Sequence, residues 1–263
     1  MRIMRNKKVL ITVALLLLVL VLAGCGNLDQ DITAESEGFW DSFFVYPLSW
    51  FIKSVAGFFA GSYGWAIIVV TILIRLLLVP LNIKQLKSTQ AMQEIQPKIK
   101  ELQEKYSSKD AKTQEKLQQE QMKLFQEHNV NPLAGCLPMF VQMPIMIALY
   151  QAIMRTPGLQ DGTFLWFELA EKDPYYILPI IAAGATFLQQ KLTMAGAGSG
   201  QAAANPQMSM MMYMMPLMIG VMSLYFPAAL SLYWGVGNVF MVFQTIFIRK
   251  PFKFQQKAGG NQS

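Results

Sequence analysis

Residues 62–81 read SYGWAIIVVTILIRLLLVPL, an apolar stretch with a single charged residue, Arg75. A helix needs ~20 mainly apolar residues to cross a bilayer, so this stretch predicts a membrane span with a charge inside it. Four further segments are long and apolar enough to cross, namely residues 132–154, 174–191, 208–226 and 227–248. The last two meet at Phe226-Pro227, which predicts a very tight connection. We therefore expect an all-α protein with five transmembrane helices.

The composition is that of an integral membrane protein. Of 263 residues, 53% are hydrophobic and 14% are charged, whereas soluble domains carry roughly 25% charged residues. The net charge of +6 would suggest a nucleic-acid partner in a soluble chain. In a membrane protein basic residues instead mark the cytoplasmic side, so we expect no direct contact with nucleic acid. One His and two Cys are too few for a His-rich zinc site, haem ligation or a disulfide framework, so we expect no cofactor and no metal.

Residues 1–24 have the pattern of a bacterial lipoprotein signal peptide. Basic residues come first, an apolar run follows over 9–22, and Leu22-Ala23-Gly24 precedes Cys25. This pattern predicts cleavage before Cys25 and acylation of that residue, which would anchor the mature N-terminus on the outer face of the membrane. The alternative is an uncleaved anchor whose cysteine is incidental. We interpret the other cysteine, Cys136, as a small apolar packing residue.

Residues 25–60 combine a polar, acidic tether with an aromatic-rich segment. From Pro47 onward, apolar residues recur at helical spacing, which predicts an amphipathic helix along the outer interface of the membrane. These residues are Leu48, Phe51, Ile52, Val55, Phe58 and Phe59. The first span, residues 61–81, follows this helix.

A polar segment, residues 82–131, separates the first span from the second. Two apolar stripes at helical spacing flank Ser107-Ser108-Lys109-Asp110, which supplies turn and N-cap chemistry, so the segment predicts a helical hairpin. Its charges indicate a solvated, mobile surface more than a specific partner site. The stripes are Ile95, Ile99, Leu102 and Tyr106 in the first arm, and Leu117, Leu124 and Phe125 in the second.

The charges of the connecting segments predict an N-out, C-in orientation. Nine Lys residues lie in the hairpin and four basic residues lie in the tail, residues 249–263, so both are predicted to be cytoplasmic. The loop 155–173 holds Asp161, Glu168, Glu171 and Asp173 and is predicted to be outside. Residues 192–207, rich in Ala and Gly, predict a flexible cytoplasmic loop.

Arg75 is the residue on which the functional prediction rests. A guanidinium inside a span costs at least ~2.5–3.5 kcal/mol on insertion scales, so it normally faces water or a bundle interior. None of the five predicted spans has an interior Asp or Glu. Two explanations stay open: the side chain snorkels to the cytoplasmic interface, or it lies in a hydrated cavity. Polar residues of other spans suit the walls of such a cavity, although each could instead form an interhelical hydrogen bond. They are Gln142, Gln189, Gln190, Ser231, Asn238 and Gln244.

The sequence does not predict an enzyme. His128 is the single imidazole and falls in the hairpin, and neither a His-Glu-x-x-His motif nor a phosphate-binding glycine loop is present. A voltage sensor needs a ladder of charges, and a proton pump needs an intramembrane carboxylate or His. A small-solute or ion transporter that uses the same cavity stays open, as does a scaffold that only assembles partners. The methionines of the fourth span either fill a core or form an adaptable binding surface.

Together these features resemble the YidC/Oxa/Alb family of membrane protein insertases, specifically the lipoprotein form found in Gram-positive bacteria. The likeness extends over essentially the whole mature chain and rests on Arg75, the charged hairpin and two motifs. The motifs are Asn131–Pro138 (NPLAGCLP) with Gln142-Met143-Pro144-Ile145, and Phe226–Trp234 (FPAALSLYW) with Asn238 and Gln244.

The resemblance implies a five-helix core around a hydrophilic groove that opens to the cytoplasm and to lipid but is closed outside. Arg75 would be the groove arginine, Gln142 and Gln190 part of its polar lining, and Trp234 a groove-facing aromatic residue. The hairpin would help to recruit substrates. The resemblance also implies that the substrates are nascent membrane proteins, received from ribosomes through transient contacts and inserted alone or beside the Sec translocon.

Overall fold

The computed structural model describes residues 28, 30–108, 110–128, 130–131, 137–194 and 206–259, except for the side chains of 137–139, 206–211 and 249–259. The predicted signal peptide, Cys25, Cys136 and most of the 192–207 loop lie outside the described residues. The chain divides into two compact units, and each is described by itself.

Helices make up most of the described chain. A π-helical turn, Asp41–Val45, leads directly into the first α-helix. The α-helices are α1 (Tyr46–Phe58), α2 (Tyr63–Leu77), α3 (Val79–Glu94), α4 (Gln96–Lys105), α5 (Ala111–Glu127), α6 (Leu137–Arg155), α7 (Ile177–Met194), α8 (Pro206–Tyr225) and α9 (Ala228–Gly259).

Each of the five predicted spans corresponds to one helix, in order α2, α6, α7, α8 and α9, but the ends differ. α2 stops at Leu77, and Pro80, which has no backbone N–H to donate, lies in the first turn of α3. α9 continues into the basic tail, well beyond the predicted end at Ile248. Only Phe226 and Pro227 separate α8 from α9, which confirms the tight connection.

Length and hydropathy identify one described helix that can cross a membrane by itself, α9 over Ala228–Ile248. The π-helical turn and α1 pass the same test jointly with α2, and the two parts of this pair are bent by 119°. A bend of this size fits an interfacial helix that is followed by a span. The number of spans and their orientation remain predictions.

The first unit comprises the described residues up to Val70, with Val141–Tyr175 and Tyr225–Tyr233. Its core packs the N-terminal segment against α6, and polar contacts support this packing. The Trp40 indole N–H donates to Gln151 Oε1 over 3.0 Å, and the hydroxyls of Ser49 and Thr156 lie 2.7 Å apart. The buried core residues are Ile32, Trp40, Val45, Ala148 and Ala152.

The structure has a helix, α1, where the apolar stripe predicts one, so this prediction is confirmed. Ile52 and Val55 of that stripe are buried, whereas Phe58 is 87% exposed. Only part of the stripe therefore packs against the unit, and its remaining aromatic side chains include the exposed Phe58. Whether α1 lies in the outer interface remains a prediction.

The loop between α6 and α7 contains a feature that the sequence does not predict. Two short strands, β1 (Thr163–Phe164) and β2 (Phe167–Glu168), pair antiparallel, and Leu165 adopts a left-handed conformation at the tip. The structure is otherwise mostly helical, which is consistent with the all-α prediction. The same loop accepts the first hydrogen bonds of α9, since the N–H groups of Ala228 and Ala229 donate to carbonyl oxygens of the loop.

The second unit comprises the described parts of Thr71–Phe140, Tyr176–Leu224 and Trp234–Ser263. It includes the hairpin, whose first arm is broken at Ile95, although the sequence predicts one continuous arm. The break has a physical reason: the ring of Pro97 clashes with the carbonyl of Gln93 in a continuous helix. The core of the hairpin consists of Ile95, Ile99, Leu124 and Val130.

The predicted N-cap of the second arm is confirmed. The Asp110 carboxylate accepts a hydrogen bond from the Thr113 amide at 2.9 Å and one from the Ser108 hydroxyl at 2.6 Å. Because these bonds from Ser108 and then Thr113 favour the ionised form, the pKa of Asp110 is lowered from 3.8 to about 2. A charged N-cap of this kind fixes where α5 begins.

Candidate functional site

Arg75 lies in the last turn of α2 and is buried, with 8% of its surface exposed. One turn earlier on the same face, Thr71 is also buried. The guanidinium lies directly against α9 at Gly237. An ideal Cβ built on Gly237 would be 2.6 Å from Nη2 and 2.8 Å from Nε of Arg75.

This position bears on the two explanations for a charge in the first span. Asn82, two turns further along the chain, donates through Nδ2 to Met241 Sδ at 3.4 Å and to Gln244 Oε1 at 3.5 Å. Met241 is one helical turn beyond Gly237. The Arg75 guanidinium therefore contacts α9 at Gly237, one helical turn before the point at which Asn82 contacts that helix. Whether the side chain snorkels or lies in a hydrated cavity stays a prediction.

Two predicted polar residues of the second unit form hydrogen bonds between helices. Asn238 Nδ2 of α9 donates to Thr186 Oγ1 of α7 over 2.6 Å, and the Thr186 hydroxyl donates to the Ala182 carbonyl over 2.6 Å. Gln190 Nε2 of α7 lies 2.8 Å from Met215 Sδ of α8. These bonds connect α7 with α8 and with α9, so the residues already have structural partners.

The other predicted residues of this unit differ in their surroundings. Gln189 is half-buried and donates to Thr193 Oγ1 within α7 at 3.1 Å. Gln244 accepts the hydrogen bond from Asn82, and Trp234 is buried at the start of the α9 part of the unit. Gln244 thus lies on the side of α9 that α2 and α3 contact, and Arg75 of α2 contacts α9 on this same side.

The remaining two predicted residues belong to the first unit. Gln142 Nε2 of α6 donates to the hydroxyl of Tyr233 on α9 over 2.9 Å. Ser231, also on α9, is fully buried. Both helices therefore contribute polar groups to the interior of this unit.

Several residues of the site are not predicted from the sequence. Thr186 and Tyr233 are the partners of predicted residues, and a hydroxyl inside an apolar span is a signal that could have identified them. Asn82 follows Arg75 by two helical turns and faces the same helix, which spacing could have indicated. Nothing in the sequence distinguishes Gly237 from other glycines of α9.

The methionine-rich helix α8 offers both of the roles that the sequence leaves open. Met215 accepts the hydrogen bond from Gln190, so it takes part in packing against α7. Met214 and Met218 are exposed among the described residues. Their thioethers could adapt to different apolar surfaces.

Comparison with known proteins decides the family. The family model described as "60Kd inner membrane protein" matches residues 54–257, which include every predicted groove residue from Arg75 to Gln244. The chain belongs to the YidC/Oxa/Alb family. A member of this family from Oceanobacillus iheyensis, named "Membrane protein insertase YidC", is 58% identical over 94% of this chain and 98% of its own length.

Further relatives carry names of the same kind. "Membrane protein insertase MisCA" of Bacillus subtilis is 58% identical over 92% of this chain and 93% of its own length. "Membrane protein insertase YidC" of Alkalihalophilus pseudofirmus is 53% identical over 92% of this chain and 94% of its own length. The resemblance noted in the sequence is thus confirmed at the level of the YidC/Oxa/Alb family, and the chain is a mostly helical membrane protein.

Proposed function

We propose that this protein is a membrane protein insertase, which inserts nascent membrane proteins and helps them to fold, alone or together with the Sec translocon. The observation that carries the proposal is the buried guanidinium of Arg75, held against α9 in a chain whose relatives are named insertases. A buried positive charge at this position can bind a negatively charged group of a substrate.

The proposal includes the membrane arrangement that the sequence predicts. Five spans cross the cytoplasmic membrane with the N-terminus outside, acylated Cys25 anchors that end, and the hairpin lies in the cytoplasm. In the second unit, Arg75 of α2 and polar side chains of α7 and α9 would line the groove. These are Gln189, Gln190, Asn238 and Gln244, and Trp234 belongs to the same unit.

Electrostatics supply the first step of the mechanism. Two opposite charges ~4 Å apart attract each other by about 4 kcal/mol at an effective dielectric constant of ~20. Arg75 therefore attracts an acidic group in the polar outer segment of a substrate and draws that segment partway across the inner leaflet. The apolar part of the membrane that the segment still has to cross becomes shorter, which lowers the barrier.

The hydrophobic effect supplies the second step. The apolar segment of the substrate leaves along α7 and α9 into lipid, and burial releases ~0.8 kcal/mol for each CH₂ group. No nucleotide hydrolysis by this protein is needed. The exposed methionines of α8 and the charged hairpin would meet substrates and, transiently, the ribosome that delivers them.

The test is insertion of a single-span substrate into liposomes that contain only this protein. Substrates with acidic and with neutral outer segments are compared for wild type, Arg75→Ala and Arg75→Lys. Arg75→Ala should reduce insertion of the acidic substrate at least about fivefold, the equivalent of 1 kcal/mol, and Arg75→Lys should retain much of the activity because charge is the requirement. Lys84→Ala, which removes an exposed charge from α3, should insert both substrates like wild type. Equal insertion of the acidic substrate by Arg75→Ala and wild type would refute the electrostatic step.

A photoreactive residue at position 189 tests whether nascent chains contact this part of α7. Gln189 is half-buried, whereas neighbouring Gln190 is buried and engaged with Met215. Adducts with a translating substrate should form from position 189 and not from position 58, where Phe58 is an exposed residue of α1. Saturable flux of a small solute without such adducts would favour a transporter instead.

A further inference from the structure

Gly237 has surroundings that differ from those of Gly235, which lies two residues earlier on α9. The three heavy atoms nearest to the position of a Cβ on Gly237 are Nη2, Nε and Cζ of Arg75, at 2.6, 2.8 and 3.1 Å. All three belong to the guanidinium group. The volume that a side chain at position 237 would need is thus occupied by the charged end of Arg75.

We propose that Gly237 is a positioning residue for Arg75. Because Gly237 has no side chain, it leaves a space on α9, here called the seat, that holds the guanidinium of Arg75. This seat sets the position of the positive charge along the helix. The inference rests on the proposed function, because the position of the charge matters only if a substrate meets it.

The usual role of glycine in membrane helices is to let two helices approach closely. Gly220 of α8 fits that role, since its Cβ would meet the Ala183 Cβ at 3.1 Å and the Pro179 carbonyl at 4.0 Å. Gly235 of α9 would meet only the Cγ2 atom of Ile181, at an ordinary 3.5 Å. Gly237 instead makes room for a functional group, and so its replacement should act through Arg75.

The size of the effect follows from the distances. Non-bonded heavy atoms rest ~3.5 Å apart or more, so a methyl group at position 237 must displace Nη2, now 2.6 Å from that point, by roughly 1 Å. The guanidinium is the end of a flexible side chain, so it can move while the helices stay in place. Overpacking of this kind changes the population of the native position by about fivefold or more.

The first measurement is insertion of the acidic single-span substrate into liposomes by the full chain. Gly237→Ala should reduce insertion by about fivefold to tenfold, at the lower end of the range that overpacking gives, and Gly235→Ala should insert like wild type. Arg75→Ala with Gly237→Ala should equal Arg75→Ala alone, because the clash disappears with the guanidinium. The amount of each variant in the liposomes is measured by immunoblot. If Gly237→Ala does not fold, recovery of a folded protein by adding Arg75→Ala supports the seat.

The second measurement does not depend on insertion. Phenylglyoxal modifies guanidinium groups, and mass spectrometry of peptides reports how much of Arg75 has reacted. Gly237→Ala should increase the modified fraction of Arg75 after a short fixed time by about fivefold, since the overpacked guanidinium leaves its buried seat, while Gly235→Ala should leave it unchanged.

The outcomes separate the two proposals. Normal insertion by Arg75→Ala would refute the proposed function, and the phenylglyoxal measurement would still decide whether Gly237 positions Arg75. Impaired insertion by Arg75→Ala together with normal insertion and normal modification of Gly237→Ala would overturn the role of Gly237 and leave the proposed function intact. A loss that Gly235→Ala shares with Gly237→Ala would likewise overturn it.

Discussion

Removal of one partner of the ion pair between Arg155 and Asp41 should strongly destabilise the first unit, because it leaves the other charge buried and uncompensated. Arg155, at the end of α6, donates through Nη1 and Nη2 to the two carboxylate oxygens of Asp41, at 3.0 and 2.8 Å. Its Nε donates to the Gln30 carbonyl at 2.9 Å. One side chain thus holds both the π-helical turn and the N-terminal segment on α6. Arg155→Ala would remove all three bonds.

The burial of the pair sets the magnitude. The side chain of Arg155 is 4% exposed and that of Asp41 is 17% exposed. Removal of one partner from a buried ion pair destabilises a protein by about 3–5 kcal/mol. Because water still reaches Asp41, we expect the lower end, ~3 kcal/mol, which corresponds to a fall of ~6–12 °C in the thermal midpoint. Arg155→Lys should fall between Arg155→Ala and wild type, since an ammonium cannot reproduce the fork.

The assay is thermal unfolding in detergent micelles, followed by the fluorescence of Trp40. Trp40 is buried next to Asp41, and its signal is isolated by subtracting the spectrum of the corresponding Trp40→Phe variant. Lys123→Ala is the matched control: it breaks an exposed ion pair of 2.6 Å and should not change the midpoint. Equal midpoints for Arg155→Ala and Lys123→Ala would show that burial does not make the Arg155–Asp41 pair more important than an exposed pair.

Two further predictions concern packing and pH. A methyl group at Gly64 would overlap the ring of Phe164, so Gly64→Ala should destabilise the protein by about 1–3 kcal/mol in the same assay. Gly57 is the control, because a Cβ there would have nothing within 4 Å, so Gly57→Ala should be neutral or slightly stabilising. Equal thermal midpoints of the two variants would contradict the clash with Phe164. The pKa of Asp110 is lowered from 3.8 to about 2, so the N-cap contributes fully above pH 3.8 and is lost as the pH falls through about 2. The hydrogen-exchange protection of the Thr113 amide should therefore fall in that window, and Asp110→Ala should lower it at neutral pH; constant protection down to pH 2 would contradict the assignment.

The helices were predictable because hydropathy and length determine them, but their ends depend on local chemistry. The stretch Ser107-Ser108-Lys109-Asp110 is recognisable as turn and N-cap chemistry, and in the structure its last residue, Asp110, is the N-cap of α5. The break at Ile95 follows from Pro97 and could have been predicted by the same rule that ends a helix before a proline. The β1–β2 pair could not, since its strands of two residues each are too short to show any alternation.

The candidate site likewise contains residues that could be predicted from the sequence and residues that could not. Arg75 is conspicuous because a charge inside an apolar stretch is costly, and that cost is visible in the sequence. Gly237 is not, since its importance comes from a contact between helices that are far apart in the chain. The sequence also left open whether each polar residue lines a cavity or joins two helices. Asn238 and Gln190 do join helices in the structure.

These interhelical bonds are compatible with a groove because they are weak. Hydrogen bonds between membrane helices average ≈ 0.6 kcal/mol in double-mutant cycles, which is close to the thermal energy. The Asn238–Thr186 bond can therefore open for water or for a polar substrate segment at little cost. The charge of Arg75 is different, because its burial costs several times more, at least ~2.5–3.5 kcal/mol. In the proposed function, a substrate that supplies a negative charge offsets the cost of burying the guanidinium. Arg75 would then determine which polar segments enter, and the amide side chains would form hydrogen bonds with the residues that follow.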